Sequence, residues 1–404
     1  MDTLWIFQSY KFGFVGMNMK TVRLGDVCNI VSGGTPSRSK TEYWQDGTIP
    51  WIKIGNIKGK YVFEADEYIT QAGMDSSSAK MLPKGTILYT IFATLGEVGI
   101  LDFEACTNQA IAGISIRDSS ELQPDYLYYC LKSKKNYANG IGRGVAQNNI
   151  NMSILRDYMV PLPTIEHQNE IVSILDKAST VITLHQQQLA RLDNLIKARF
   201  VEMFGDPISN EKGWNTRPLL SMGSCKNGMN FHYDDFGVEI NCLGVGDFKD
   251  YSIIADTALL STVSLKEMPS PEYLLQDDDI VFVRSNGNKK MVGRSVAVYP
   301  GAVPTTFSGF CIRYRRDDDT VITPYLLRVL KAESMRQKMY GRGANIQNLN
   351  QQTLSSLDIP VPPKAMQEQF AAFIAQIDKS KFAVQKALEK AQLLFDSLMQ
   401  QYFG

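Results

Sequence analysis

The chain repeats itself at a spacing of 199 residues. Gly142-Arg143-Gly144 recurs as Gly341-Arg342-Gly343, and Asn149-Ile150-Asn151 as Asn348-Leu349-Asn350. Val160-Pro161-Leu162-Pro163 recurs as Ile359-Pro360-Val361-Pro362. Upstream, Tyr126-Leu127 and Leu131-Lys132 return as Tyr325-Leu326 and Leu330-Lys331; downstream, Gln168 and Phe204-Gly205 return as Gln367 and Phe403-Gly404. The match needs no gap from about 125 to 205. The chain is therefore two copies of one plan, and an element assigned in one copy is a prediction about the other. Its 404 residues suit two to three domains at about 150 residues each.

Each copy pairs a variable part with a shared part. The variable parts carry short β-type runs broken by Gly, Pro and Asn, such as Thr86–Thr90 and Ile111–Ile116 in the first copy. Ile280–Val283 and Ser295–Tyr299 are the runs of the second, and Thr21–Leu24 echoes Thr216–Leu219. Such runs predict mixed, curved sheets.

The shared parts end in long helices. Pro161-Leu162-Pro163-Thr164 and Pro360-Val361-Pro362-Pro363 are start signals, and about 40 residues without Pro or Gly follow each. Apolar residues recur in heptads, with a seam of Leu175, Ile182, Leu189 and Ile196 in the first helix and Ile374, Leu388 and Phe395 in the second. Sustained heptads predict a two-helix coiled coil, and the expected pairing is antiparallel. The expected class is α+β. The expected order is an extension at 1–19, a domain at 20–160, a helix at 161–205, a second domain at 206–359 and a second helix at 360–404. The extension matches nothing later, has its first Lys at position 11 and lacks a cleavage-like site, so a start nearer Met17 or Met19 is expected.

Catalytic signatures are scarce. Lys plus Arg and Asp plus Glu each total 42, which argues against a uniformly basic nucleic-acid coat. Six Cys without a CxxC pair and three scattered His predict buried, reduced thiols rather than a zinc site. No GxxxxGK[ST], HExxH or GxSxG motif is present. Ser32-Gly33-Gly34-Thr35-Pro36-Ser37 lacks a phosphate-binding Lys, and Leu243-Gly244-Val245-Gly246-Asp247 is read as a turn. Asp277-Asp278-Asp279 and Asp317-Asp318-Asp319 are read as solvated turns, since consecutive carboxylates point apart. No apolar run is long enough for a membrane helix, so no membrane partner is expected and the cytoplasm is the expected address.

Binding chemistry is richer. Arg38, Lys40, Tyr43, Lys53 and Asn56 cluster in the first variable part, interleaved with Trp44 and Trp51. Arg284, Asn286, Lys289, Lys290 and Arg294 cluster in the second, and Arg143 and Arg342 mark the repeated Gly-Arg-Gly stretches. Arg and Lys hold phosphates, while Arg and Asn pair bidentately with base edges. Both tryptophans are read as anchors rather than stacking platforms.

Val22-Arg23-Leu24-Gly25-Asp26-Val27, Ser32-Gly33-Gly34-Thr35-Pro36 and Ile49-Pro50-Trp51-Ile52 resemble the opening of a target recognition domain. Pro161-Leu162-Pro163 with Glu166, Gln168 and Ile171, closing on Phe204-Gly205-Asp206-Pro207, resembles that family's helical spacer. The family is the DNA-specificity subunit of type I restriction-modification systems, and the resemblance spans about 20–404. It implies a non-catalytic subunit in which each domain reads half of a split double-stranded DNA site and the coiled coil sets the gap. It also implies two modification subunits as partners, methylating adenine with S-adenosylmethionine, and restriction subunits using ATP and Mg. No cofactor is expected in this chain. The competing reading is a duplicated coiled-coil adaptor that organises protein partners without reading DNA. A self-sufficient methyltransferase or nuclease is disfavoured by the missing motifs.

Overall fold

The computed structural model describes residues 20–135, 138, 149–231, 236–248, 253–340 and 348–404. The extension at 1–19 and both Gly-Arg-Gly stretches, with Arg143 and Arg342, lie outside the described residues. The chain divides into two compact units, residues 1–185 with 387–404, and residues 186–386.

Unit 1 contains strands β1 (Thr21–Arg23), β2 (Cys28–Ser32), β3 (Ile49–Ile52), β4 (Tyr61–Val62) and β5 (Glu67–Ile69). They are followed by β6 (Ile87–Thr90), β7 (Val98–Leu101), β8 (Cys106–Thr107), β9 (Ile111–Ile116) and β10 (Met159–Pro161). Among the described residues they form a five-stranded sheet in the order β2-β9-β6-β7-β4, a three-stranded sheet β5-β3-β8 and a pair β1-β10. β4 with β7 and β3 with β8 are parallel, and the other ladders are antiparallel. The five- and three-stranded sheets are mixed, as the runs broken by Gly, Pro and Asn predict. Helix α1 (Pro124–Ser133) carries Pro at its first position, where the missing N–H costs nothing. It buries Tyr126, Leu127 and Tyr129 against the sheet.

Unit 2 repeats this plan strand for strand. Its strands are β11 (Thr216–Pro218), β12 (Gly223–Asn227), β13 (Val238–Leu243), β14 (Ile253–Ile254) and β15 (Thr262–Leu265). β16 (Asp279–Val283), β17 (Ser295–Val298), β18 (Thr305–Phe307), β19 (Cys311–Arg316) and β20 (Asp358–Pro360) complete the set. Their sheets run β12-β19-β16-β17-β14, β15-β13-β18 and β11-β20, the order of unit 1 with every index raised by ten. The duplication therefore extends through the variable parts, where the sequences match poorly but the hydrogen-bond frame is shared.

The long helices are α2 (Ile165–Phe204) and α4 (Lys364–Phe403), 40 residues each. Helix α3 (Thr323–Lys331) in unit 2 corresponds to α1. In unit 1, Ile171, Leu175 and Ala178 from the start of α2 share a core with Phe395, Met399 and Phe403 from the end of α4. In unit 2, Ile196, Phe200 and Phe204 from the end of α2 share a core with Phe370 and Ile374 from the start of α4. The helices therefore pair antiparallel. Leu175, Ile196 and Phe395 of the seam are buried, and Ile182, Leu189, Ile374 and Leu388 are half-buried. Each unit thus combines its own variable part and helix start with the helix end of the other copy.

Repeated polar residues hold both junctions. The Gln168 amide is fully buried, donating to Glu121 O at 2.7 Å and Pro163 O at 2.9 Å and accepting from Gln123 N–H at 3.0 Å. Gln367 makes the same three bonds to Thr320 O, Pro362 O and Ile322 N–H. The hydroxyl of Tyr126 donates to Pro161 O at 3.0 Å, and that of Tyr325 to Pro360 O at 2.9 Å. Asn151 and Asn350 cap matching short helices, accepting from Ile154 and Thr353 N–H.

The expectation of two solvated Asp turns needs correction. Asp279 is buried and binds Arg315 through both oxygens, at 2.8 and 2.7 Å, so its charge is neutralised within the sheet. Asp318 pairs with Arg217 and Asp319 with Lys364, which leaves that run a surface turn tied to the helix start. Leu243 closes β13 and Val245–Asp247 is a turn of 3-10 helix, in which Asp247 accepts from Gly244 N–H at 2.8 Å, matching the Lys53–Asn56 turn of unit 1. Burial raises the Cys thiol pKa values, to about 12 for Cys28 and Cys242, as expected of inert small hydrophobes.

Candidate nucleic-acid interface

In unit 1 the candidate residues follow the end of β2. A Cβ at Gly33 would lie 2.2 Å from Asn108 O, so only glycine lets the chain turn so close to the neighbouring backbone. The loop then carries Arg38, Lys40 and Tyr43 outward. The Arg38 Cζ lies 3.6 Å from the Trp44 ring centroid and 4.9 Å from that of Trp51. Its Nη2 is 2.6 Å from Glu67 Oε2, while Lys53 Nζ donates to the other oxygen of the same carboxylate. Burial pushes the Glu67 carboxyl pKa up, but the neighbouring cations of Lys53 and Arg38 outweigh it and hold the group below its ordinary range. Lys40 Nζ donates to the Tyr43 hydroxyl at 2.9 Å, which lowers the phenol pKa.

Asn56 is not on the outer surface. It is 6 % exposed, and its Oδ1 accepts from Lys53 N–H at 2.9 Å. It shapes the turn that carries Lys53, so the structure places its side chain beneath the surface that Lys53 occupies. Both tryptophans act as anchors: Trp51 Nε1 donates to Gly34 O at 2.9 Å and Trp44 Nε1 to Ser37 O at 3.1 Å.

In unit 2 the candidates gather on one hairpin loop between β16 and β17. Arg284 Nη1 donates to Gly309 O at 3.3 Å, and Arg294 Nη1 to Phe248 O at 3.2 Å. Asn286 Oδ1 accepts from Asn288 N–H and Asn288 Oδ1 from Lys290 N–H, which tightens the loop tip. Lys289 and Lys290 are exposed there, and Arg336 Nη2 donates to Lys290 O at 2.9 Å and Val292 O at 3.0 Å from below.

The shared frame aligns these loops. Ile91 N–H bonds Ala110 O in unit 1 as Arg284 N–H bonds Phe310 O in unit 2, both at 2.8 Å. Ile150 N–H bonds Ile91 O as Leu349 N–H bonds Arg284 O. An aliphatic side chain thus stands in one unit where a guanidinium stands in the other. The bonds that close the hairpins, Thr90 N–H to Glu97 O and Val283 N–H to Arg294 O, enclose six residues in unit 1 and ten in unit 2. Two residues escaped the sequence reading. Glu67 lies far from Arg38 in the chain, and only the β3–β5 register brings it to Trp51. Phe310, 60 % exposed beside Arg284, carries no local signal in the sequence.

Among the described residues, no group of three or more His, Cys, Asp or Glu is placed to hold a metal ion. No described helix is long and apolar enough to cross a membrane.

Two domains of one topology, unlike in their exposed loops and built onto paired helices, define a duplicated recognition protein. The model of the type I restriction modification DNA specificity domain matches residues 17–194 and again 212–393. The chain belongs to that family and is a DNA-sequence-recognition subunit, with two target recognition domains and a coiled coil. It is 23% identical over 407 residues to the StySPI specificity subunit of Salmonella potsdam, covering 94% of this chain and 86% of that protein. It is 28% identical over 244 residues to the MjaIX specificity subunit of Methanocaldococcus jannaschii, a match spanning 55% of this chain and 56% of that relative. The crystal structure of a type I restriction-modification S subunit from M. genitalium shares the fold, with a TM-score of 0.54, 15% identity and 98% of each chain covered. The specificity-subunit family is non-catalytic.

Proposed function

We propose that each unit reads one half of a bipartite double-stranded DNA site and that the paired helices fix the gap between the halves. The observation that carries this reading is the shared frame with unlike loops. Ile91 and Arg284 hold one backbone position, and the loops that start there differ by four residues. A duplicated structural adaptor has no reason to vary the exposed loops of an otherwise constant frame. A reader of two different half-sites has every reason to do so.

The proposed contacts are Arg38, Lys40, Tyr43 and Lys53 for the first half, and Arg284, Asn286, Lys289, Lys290 and Arg294 for the second. Arg143 and Arg342, from the repeated Gly-Arg-Gly stretches, are proposed as further DNA contacts. Methylation and cleavage belong to partners: two modification subunits with S-adenosylmethionine, and restriction subunits with ATP and Mg. Zero net charge supports that division, since phosphate neutralisation dominates DNA affinity and this chain has no charge surplus to spend on it.

The test is selection from a randomised duplex pool by the chain together with its modification subunit, at about 0.1–0.15 M salt. Two unlike enriched motifs separated by a fixed unselected gap are expected. Enrichment of no motif, with binding that only falls with salt, would sink the reading.

A further inference from the structure

A carboxylate sits at the centre of the proposed first half-site, where charge alone would argue against one. Glu67 stands on β5 opposite Trp51 of β3. It binds Arg38 through one oxygen and Lys53 through the other. The Trp44 and Trp51 rings meet edge to face at 5.0 Å, and Arg38 lies over both. The guanidinium is therefore fixed by a carboxylate, two ring faces and a sheet register. Its side chain is still 52% exposed, so donors of the fork remain available outward.

An acid in a surface that must approach phosphates repels them, so its presence needs a geometric reason. Bidentate reading of a base edge requires a planar fork held at one angle, and a long unrestrained Arg side chain loses that preorganisation. On the reading that unit 1 binds DNA, we propose that Glu67 is a positioning residue that presents Arg38 to the O6 and N7 acceptors of one guanine in the first half-site. Lys53, a compact charge on the other carboxylate oxygen, is held beside it for the adjoining phosphate. At the matching place in unit 2, extending the β13–β15 register puts Ser261 where unit 1 has Glu67, and its carbonyl accepts from Cys242 N–H at 2.9 Å. The effect belongs to one half-site only.

The experiment compares wild type, Glu67→Gln and Arg38→Lys in the same randomised-duplex selection, using the full chain with its modification subunit. Glu67→Gln should reduce the preference at one G·C pair of the first half by at least about fivefold. The second half and the gap should not change, and affinity for an unrelated duplex should hold or rise because an acid has been removed. Arg38→Lys keeps the charge but loses the fork, so it should blur the same base pair; thermal melting of both variants reports folding. An unchanged first motif in Glu67→Gln, or blurring at a different pair in Arg38→Lys, overturns the positioning role while leaving DNA reading intact. A wild-type chain that selects no motif overturns both.

Discussion

At the scale of single residues, the junctions rest on a few buried polar groups whose partners are all backbone. Gln168 and Gln367 are the clearest pair, each fully buried with three hydrogen bonds. Replacing either amide by methionine keeps the shape but strands two carbonyls and an N–H in the interior. Gln168→Met and Gln367→Met should each destabilise by about 1–3 kcal/mol, read as a shift in urea midpoint at unchanged slope. Similar losses at both sites are expected, since the bonds are the same; a neutral outcome at one would mean its junction does not depend on the amide. The recurrence of these two residues was legible from spacing alone, because a repeat exposes what both copies need. The roles of Asp279 and Asn56 were not. Asp279 is buried only because Arg315, 36 residues away, lies on the neighbouring strand, and Asn56 turns inward to cap its own 3-10 turn. Local sequence carries the polarity of such residues but not the direction they face.

At the scale of elements, local signals were more telling. The run Ile111–Ile116 forms β9 with those bounds, and the Pro-led segments give way to helices at Ile165 and Lys364. Helix α2 stops where Gly205 adopts φ +76°, the left-handed conformation that ends helices at glycine, and Trp214 Nε1 caps the released Phe204 carbonyl at 3.0 Å. Short-range sterics decide these features, so they can be read along the chain. Sheet order cannot, because β9 lies between β2 and β6 through contacts distant in sequence. Helix α3 also carries a charge that its packing disfavours. Burial pulls the Lys331 pKa down to about 8, helped by repulsion from Arg328, Lys381, Arg294 and Arg336. With the folded pKa below the unfolded value near 10.4, the unfolded chain holds more protons between about pH 8 and 10.4. Stability from this group therefore rises with pH across that window, and its full cost is present below it. Lys331→Met should stabilise the protein at pH 7 by on the order of 2–3 kcal/mol, with the advantage shrinking as pH climbs through the window. A wild-type and variant difference that is flat from pH 7 to 10 would show that the ammonium is not strained in its site.

At the scale of the whole molecule, duplication has been used to make each unit depend on the other copy's helix. Phe403 ends α4 against Tyr126 of unit 1, at a centroid distance of 5.3 Å, and Phe204 ends α2 against Tyr325 of unit 2 at 4.8 Å. Neither long helix serves one unit alone, so a change in length made in only one of them must break the pairing or shift a helix end out of its core. Equal insertions in both leave every junction contact in place. If the helices set the gap between half-sites, seven residues added after His185 and seven after Lys386 lengthen the spacer by about 10 Å, close to three base pairs at about 3.4 Å each. Seven residues also return the apolar seam to nearly the same face, about 20° short of full register, which a coiled coil absorbs by supercoiling. Selection with this doubly extended chain should therefore recover both wild-type half-site motifs, separated by about three more unselected positions. An unchanged gap would mean that something other than the helices measures the distance. Altered half-site motifs would mean instead that the insertion had disturbed the reading loops themselves.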